Sequence, residues 1–288
     1  MLTSPGHANK ERTMIERTQA HGADIPKLGF GTWQLKDEDA TRAVAHALKT
    51  GYRHIDTAQI YENETEVGAG LHQSGVARED IFLTTKVWRD HFKDGDLQAS
   101  VKDSLDRLKT DYVDLLLLHW PVPEVPLIET MQAMNAVVDS GQVKHIGVSN
   151  FTVDLMDEAR AHSKAPLAVN QVEYHPFLDQ SAVLNACRSA GMAMTAYSPI
   201  GQGKVFEDDV IKQIASKHGV SPAQIALRWL VDQDSVVAIP RSSSDAHIES
   251  NFKISEIKLS EEDTGRIDAL RSPKGRLIDP DWAPDWDK

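Results

Sequence analysis

"HIDTAQIYENETEVG", residues 54–68, joins three kinds of local signal within fifteen positions. His54-Ile55-Asp56 is short and strand-like, Tyr61 lies in a polar connection, and Asn63 with Glu66 three residues on resembles a capping box opening a helix. A strand, a short loop and a helix therefore follow one another directly, and the fold turns on whether that unit recurs. Further apolar runs do follow: "IFLTTKVW" (81–88), "YVDLLLLHW" (112–120), "KHIGVSN" (144–150), "LAVNQVEY" (167–174), "MAMTAYSP" (192–199) and "SVVAIP" (235–240). With "KLGFGTW" (27–33) they make eight. Between them, Val44 and Leu48, and then Leu97, Val101, Leu105 and Leu108, have spacings that put an apolar stripe on one helix face. Ser221-Pro222 with Gln224 marks another helix start.

Eight strand-helix alternations with short connections predict an α/β fold in which a parallel sheet closes into a (β/α)8 TIM barrel; a doubly wound open sheet is the rival arrangement. A single barrel domain over residues 14–288 is expected, preceded by a polar, disordered leader at 1–13. "TMIERTQAHGADIP" (13–26) reads as an N-terminal β-hairpin turning at His21-Gly22 and closing the barrel floor. "SEEDTGRIDAL" (260–270) reads as an extra C-terminal helix, followed by an irregular tail, "IDPDWAPDWDK".

Composition narrows the function. Of 288 residues, 31 are basic and 43 acidic, so the net charge of −12 disfavours nucleic acid or an anionic membrane as a partner held by bulk charge. The one cysteine, Cys187, forms no intrachain disulfide and reads as a small buried hydrophobe. No apolar run approaches the length of a membrane span, and the leader lacks the apolar segment of a secretory signal, so a cytoplasmic location is expected; the protein is expected to act as a monomer.

The polar residues that look misplaced fall at the C-terminal ends of the proposed strands, where barrel enzymes carry their active sites. Asp56 ends the second, Lys86 the third and His119 the fourth; Asn150 ends the fifth, Gln171 and Tyr197 lie in the sixth and seventh, and Arg241 follows the eighth. Singly, such residues are commonly a loop cap, a snorkelling side chain or a satisfied interior histidine. Together they would require several separately compensated desolvation costs on largely apolar strands. A carboxylate at Asp56 can hold the Lys86 ammonium, and that ammonium can favour the phenolate of Tyr61 and ease proton donation. His119 can hydrogen-bond the same carbonyl oxygen. A serine elbow of the G-x-S-x-G type, an HExxH pair and paired cysteines are all missing, so no metal site is expected and a hydride from a cofactor would supply the reducing partner.

The motifs "GYRHIDTAQIYENETEVG", "TTKVW", "YVDLLLLHWP", "IGVSNF", "NQVEYHP" and "IPRSS", in this order, resemble those of the aldo-keto reductase family. The tail "GRLIDPDWAPDWD" is similar to that of bacterial reductases of 2,5-diketogluconate and methylglyoxal. The resemblance implies reduction of a small carbonyl substrate, with Asp56, Tyr61, Lys86 and His119 as the catalytic tetrad and Tyr61 as proton donor. It implies NADPH as cofactor, with NADH possible. Gly31, Thr32 and Asp56 would border the cofactor, Ser149, Asn150 and Gln171 would hold the nicotinamide carboxamide, and Tyr197 would stack on its ring. Arg241, Ser242, His247 and Asn251 would sit at the adenosine 2′-phosphate. Two departures weaken the case for NADPH: His247 stands where the family has an arginine for the 2′-phosphate, and Ser250 where it has an acidic residue near the adenine. "GFGTW", "GAGLHQ" and "GQGKVF" each lack the third glycine of a Rossmann fingerprint.

Trp33, Trp88 and Trp120 are expected to line a pocket for small carbonyl compounds, Trp229 to fill the core, and Trp282 and Trp286 to fold over the mouth as a lid formed by residues 279–288. Two other functions fit the same residues: a lyase using Lys86 as Schiff-base nucleophile, and a non-catalytic barrel that binds nucleotide.

Overall fold

Backbone hydrogen bonds join eight parallel strands in the computed structural model, which describes residues 16–287. The leader expected at 1–13, and the start of the domain at Met14, lie outside the described residues. After an antiparallel hairpin, β1 (Arg17–Ala20) and β2 (Ala23–Pro26), the parallel strands are β3 (Phe30–Gly31), β4 (His54–Asp56), β5 (Phe82–Val87), β6 (Val113–Leu118), β7 (Val143–Ser149), β8 (Leu167–Glu173), β9 (Ala193–Tyr197) and β10 (Val236–Ala238). They pair in chain order, and the ring closes between its ends: Gly29 N donates to Ala238 O (2.9 Å), Ala238 N to Lys27 O (2.8 Å) and Gly31 N to Pro240 O (2.9 Å). The chain is thus a (β/α)8 barrel, and the open-sheet alternative falls.

Helices α1 (Asp37–Thr50), α2 (Glu64–Ser74), α3 (Asp96–Leu108), α4 (Leu127–Asp139), α5 (Val153–His162) and α6 (Ser181–Ser189) alternate with the strands from β3 to β9. Two helices, α7 (Asp209–His218) and α8 (Pro222–Asp232), separate β9 from β10, and α9 (Asp245–Phe252) and α10 (Glu261–Asp268) follow β10. The predicted stripes are buried: Val44 and Leu48 on α1, and Leu97, Val101, Leu105 and Leu108 on α3. With helices outside and side chains inside, β5, β6 and β8 are buried along their whole length, which explains why they read as apolar runs rather than alternations. Trp229 is in the core, as expected, and so is Cys187, whose thiol burial pushes up to about 12.

The hairpin turns at His21-Gly22 with φ of 48° and 86°, the left-handed pair that a tight two-residue turn requires. Ala20, Ala23 and Ile25 then pack with Phe82, Leu115, Leu117 and Val237, plugging the barrel at the end away from the polar residues. The capping box at Ser221 forms, with Ser221 N donating to Gln224 Oε1 (3.0 Å) and Gln224 N to Ser221 Oγ (3.3 Å). The one expected at Asn63 does not. Its side chain caps nothing on α2 and turns inward, donating to Thr32 O and Leu35 O (both 2.8 Å) and accepting from Thr57 Oγ1 (3.0 Å). An amide can serve two buried carbonyls and a hydroxyl at once. Among the described residues no helix is long and apolar enough to cross a membrane.

Candidate active site

Asp56 is the last residue of β4 and Lys86 the next-to-last of β5, so neighbouring strands carry them to the same mouth of the barrel. Lys86 Nζ donates to Asp56 Oδ1 (2.6 Å), Thr57 O (2.9 Å) and the Tyr61 hydroxyl (3.3 Å), which accounts for all three ammonium protons. Tyr61 ends a 3-10 turn over Gln59–Tyr61, held on both sides. Gln59 Nε2 reaches Ser100 Oγ and Ser104 Oγ (both 3.1 Å) on α3 while its Oε1 accepts from Trp88 N (2.8 Å), and Asn63 makes the three bonds described above. The phenol is therefore placed by two amides pinned to other elements.

Burial and charge compete over these groups. Burial works most strongly against the Lys86 ammonium, but Asp56 and Tyr61 together outweigh it and hold the lysine pKa above its ordinary value. Burial raises the Tyr61 pKa, and the Lys86 charge and hydrogen bond only partly offset that, with Asp56 adding to the rise. Lys86 thus pulls toward the phenolate, as expected from sequence, but desolvation is the larger effect and the net shift is upward. His119, just past β6, is held well below the ordinary histidine pKa by burial and by Lys86, so its ring is neutral at pH 7. It stands edge-on to Tyr61 and Trp88, with ring centroids 5.6 and 5.3 Å apart, and its buried Nδ1 has no hydrogen-bond partner among the described residues.

A second network meets the first. Gln171 Nε2 donates to Asp56 Oδ2 (2.7 Å), Ser149 Oγ to Gln171 O (2.8 Å), Asn150 Nδ2 to His119 O (3.0 Å), and the Tyr197 hydroxyl to Asn150 Oδ1 (2.8 Å). Both Asp56 oxygens are consequently occupied, one by the lysine and one by an amide from the far side of the barrel.

These groups lie at or beneath the floor of an open cleft of about 740 Å³. Gly31, Thr32, Asp56, Asn150, Gln171 and Tyr197 line it, as do Tyr61 and His119, and Trp33, Trp88 and Trp120 form walls. Lys86 and Ser149 are buried behind the lining. Arg241 reaches the cleft, but its Nε donates to Trp33 O (3.0 Å), and beside it lies a shallow depression shared with Asp37, Glu38 and Asp39. Ser242 is buried, with its hydroxyl accepting from Ser244 N (3.0 Å); His247 and Asn251 lie on α9, outside the lining.

The tail supplies a wall that only its tryptophans announced. Trp282 packs edge-on against Trp120 and Trp88 at 4.9 and 6.1 Å, and Trp286 against Trp120 at 5.9 Å. Sequence reasoning missed what fastens it. Glu173, fully buried at the end of β8, accepts from Leu277 N (2.8 Å), Ile278 N (2.9 Å) and His175 Nε2 (2.9 Å). A Cβ at Gly275 would fall 1.8 Å from Phe177 O, so only glycine lets the tail start this close to the barrel. At the far end Asp287 accepts from Val153 N at the start of α5 (3.1 Å). A carboxylate two residues past Gln171 on a buried strand was the available signal for Glu173. Asp279, which lines the cleft, carried none beyond its place in the tail.

A model of the aldo/keto reductase family matches residues 27–272. The methylglyoxal reductase DkgB of Escherichia coli O157:H7 is 42% identical over 267 residues, covering 91% of this chain and 99% of that protein. The glycerol 2-dehydrogenase (NADP(+)) of Saccharomyces cerevisiae is 39% identical, over 91% and 93%. The crystal structure of a putative 2,5-diketo-D-gluconic acid reductase B superposes with a TM-score of 0.94 at 46% identity, over 96% of this chain and 99% of that one.

Proposed function

The chain belongs to the aldo/keto reductase family, and from that premise we propose that it reduces aldehydes and small ketones, dicarbonyls included, to alcohols with Tyr61 as proton donor. One observation carries the assignment of roles: Tyr61 lines an open cleft beside neutral His119 while buried Lys86 Nζ contacts its hydroxyl at 3.3 Å. A carbonyl oxygen arriving in the cleft meets the phenol and the imidazole as donors. As the oxygen gains negative charge, the phenol proton moves to it, and the adjacent ammonium stabilises the phenolate left behind. Asp56 keeps that ammonium aimed, because its other oxygen is already fixed by Gln171.

A nicotinamide cofactor fits the residues present: the Asn150 and Gln171 amides and the Tyr197 ring border the cleft beside Tyr61, a donor set suited to a flat ring bearing a carboxamide. Bound there, it would supply the hydride. Tyr197 and Asn150 would hold the ring through stacking and hydrogen bonds, Gly31 and Thr32 would border it, and Ser149 would fix Gln171. We assign an NADPH preference that rests chiefly on Arg241 and is relaxed, because Asp37, Glu38 and Asp39 crowd the depression beside that cation and His247 lies exposed. The NADP(+) in the name of the yeast relative favours the same cofactor. The lyase alternative is disfavoured, since Lys86 is fully buried, held by three acceptors and kept as an ammonium.

The test is a carbonyl panel run with NADPH and with NADH, following loss of reduced-cofactor absorbance. Turnover of methylglyoxal and simple aldehydes, faster with NADPH, is expected. No turnover of any carbonyl would remove the reductase reading, and equal or greater kcat/KM with NADH would remove the cofactor preference.

A further inference from the structure

The names of the relatives span two kinds of substrate, a neutral dicarbonyl and a sugar acid, and the charges around this cleft separate the two. Building on the reductase function proposed above, we propose that the substrate end of the cleft is shaped for uncharged carbonyl compounds with an apolar or aromatic substituent, and that Asp279 turns away those bearing a carboxylate.

Trp33, Ile60, Trp88, Trp120 and Trp282 wall the cleft above Tyr61 and His119, and Trp33, Ile60 and Trp282 remain more than 40% exposed, so their apolar faces are available to a ligand. Only three lining residues carry charge: Asp56, Asp279 and Arg241. Asp56 is buried and bound to Lys86 and Gln171. Arg241 donates to Trp33 O and lies at the end assigned to the cofactor phosphate. That leaves Asp279 as the charge facing the substrate end, with Oδ1 accepting from Trp286 Nε1 (2.8 Å) so that the carboxylate is held in place.

The one cation in the lining, Arg241, is the one assigned to the cofactor phosphate. His119 is neutral, and Lys86 is buried beneath Tyr61. Two guanidiniums stand nearby but outside the lining, each stacked on a tail indole: Arg89 on Trp282 at 4.3 Å and Arg276 on Trp286 at 3.6 Å. Arg276 also faces Glu173, Asp279 and Asp287, three carboxylates against one cation. A substrate carboxylate would therefore leave water for an aromatic box whose fixed charge has its own sign, a repulsive device as much as an attractive one.

The test compares para-formylbenzoate with its methyl ester, which present the same aldehyde and ring with and without charge. At low salt the ester should have a kcat/KM about tenfold higher, and added salt should shrink the gap because Asp279 is exposed. Asp279→Asn, which keeps an oxygen for Trp286 Nε1, should narrow the ratio chiefly through the KM of the carboxylate, and Asp279→Lys should reverse it. Equal or better use of the carboxylate by the wild-type enzyme, or a ratio unmoved in both variants, overturns the proposal. Failure to reduce either compound or methylglyoxal would instead fell the reductase function on which it rests.

Discussion

Removing the Lys86 ammonium while leaving Asp56 in place isolates the interaction on which the site is built. In Lys86→Met, Asp56 Oδ1 loses its partner 2.6 Å away and keeps only the Gln171 bond to Oδ2, and the Thr57 carbonyl and Tyr61 hydroxyl each lose a donor. The lysine side chain is 0% and the aspartate 2% exposed, so water cannot replace what is lost. Breaking a buried pair from one side costs about 3–5 kcal/mol. The double variant Asp56→Asn/Lys86→Met carries no buried charge and should recover about 2 kcal/mol or more relative to Lys86→Met, a coupling far outside the additivity expected of independent sites. Equilibrium urea denaturation of the wild type, both single variants and the double variant measures it. A loss below about 1 kcal/mol in Lys86→Met, or strict additivity of the two substitutions, would mean that the pair is solvated and that Asp56 does not anchor the lysine.

Two further outcomes follow from the same geometry. Because burial raises the Tyr61 pKa and a proton donor acts only while protonated, reductive kcat should stay level between about pH 7 and 9 and fall only above the ordinary phenol value near 10; a break close to neutrality would show that Lys86 outweighs burial. Glu173→Leu strips the acceptor from Leu277 N and Ile278 N, which should cost about 3 kcal/mol, speed hydrogen exchange along residues 277–287 and raise substrate KM; unchanged exchange there would show that the tail is held by other contacts.

Most of the barrel was legible because strand and helix periods are local properties. The ends of β4, β5 and β6 could be read as Asp56, Lys86 and His119 because a polar residue closing an apolar run stands out without knowledge of its partners. What escaped was set by partners distant in sequence. Asn63 has the residue type and spacing of a helix cap, and only the carbonyls of Thr32 and Leu35 draw it inward. The pairing of Asp56 with Lys86 could be proposed, but the bond from Gln171 spans 115 positions and joins opposite sides of the barrel. The direction of the Tyr61 shift depended on the size of the desolvation, which a charge pattern does not contain. The tail lacks any repeat, so its tryptophans suggested a lid, while Asp287 gave no pattern to follow and Glu173, a carboxylate on a buried strand, stood out without showing that its partners are the distant Leu277 and Ile278 amides.

The proton-donor role of Tyr61 is tested most directly by Tyr61→Phe, with cofactor affinity measured by fluorescence titration and turnover measured on the same preparation. The account predicts a cofactor Kd within about twofold of wild type and a kcat lower by roughly a thousandfold, because the ring and its packing remain while the proton is gone. A kcat within about tenfold of wild type would contradict it and hand the proton to another group in the cleft.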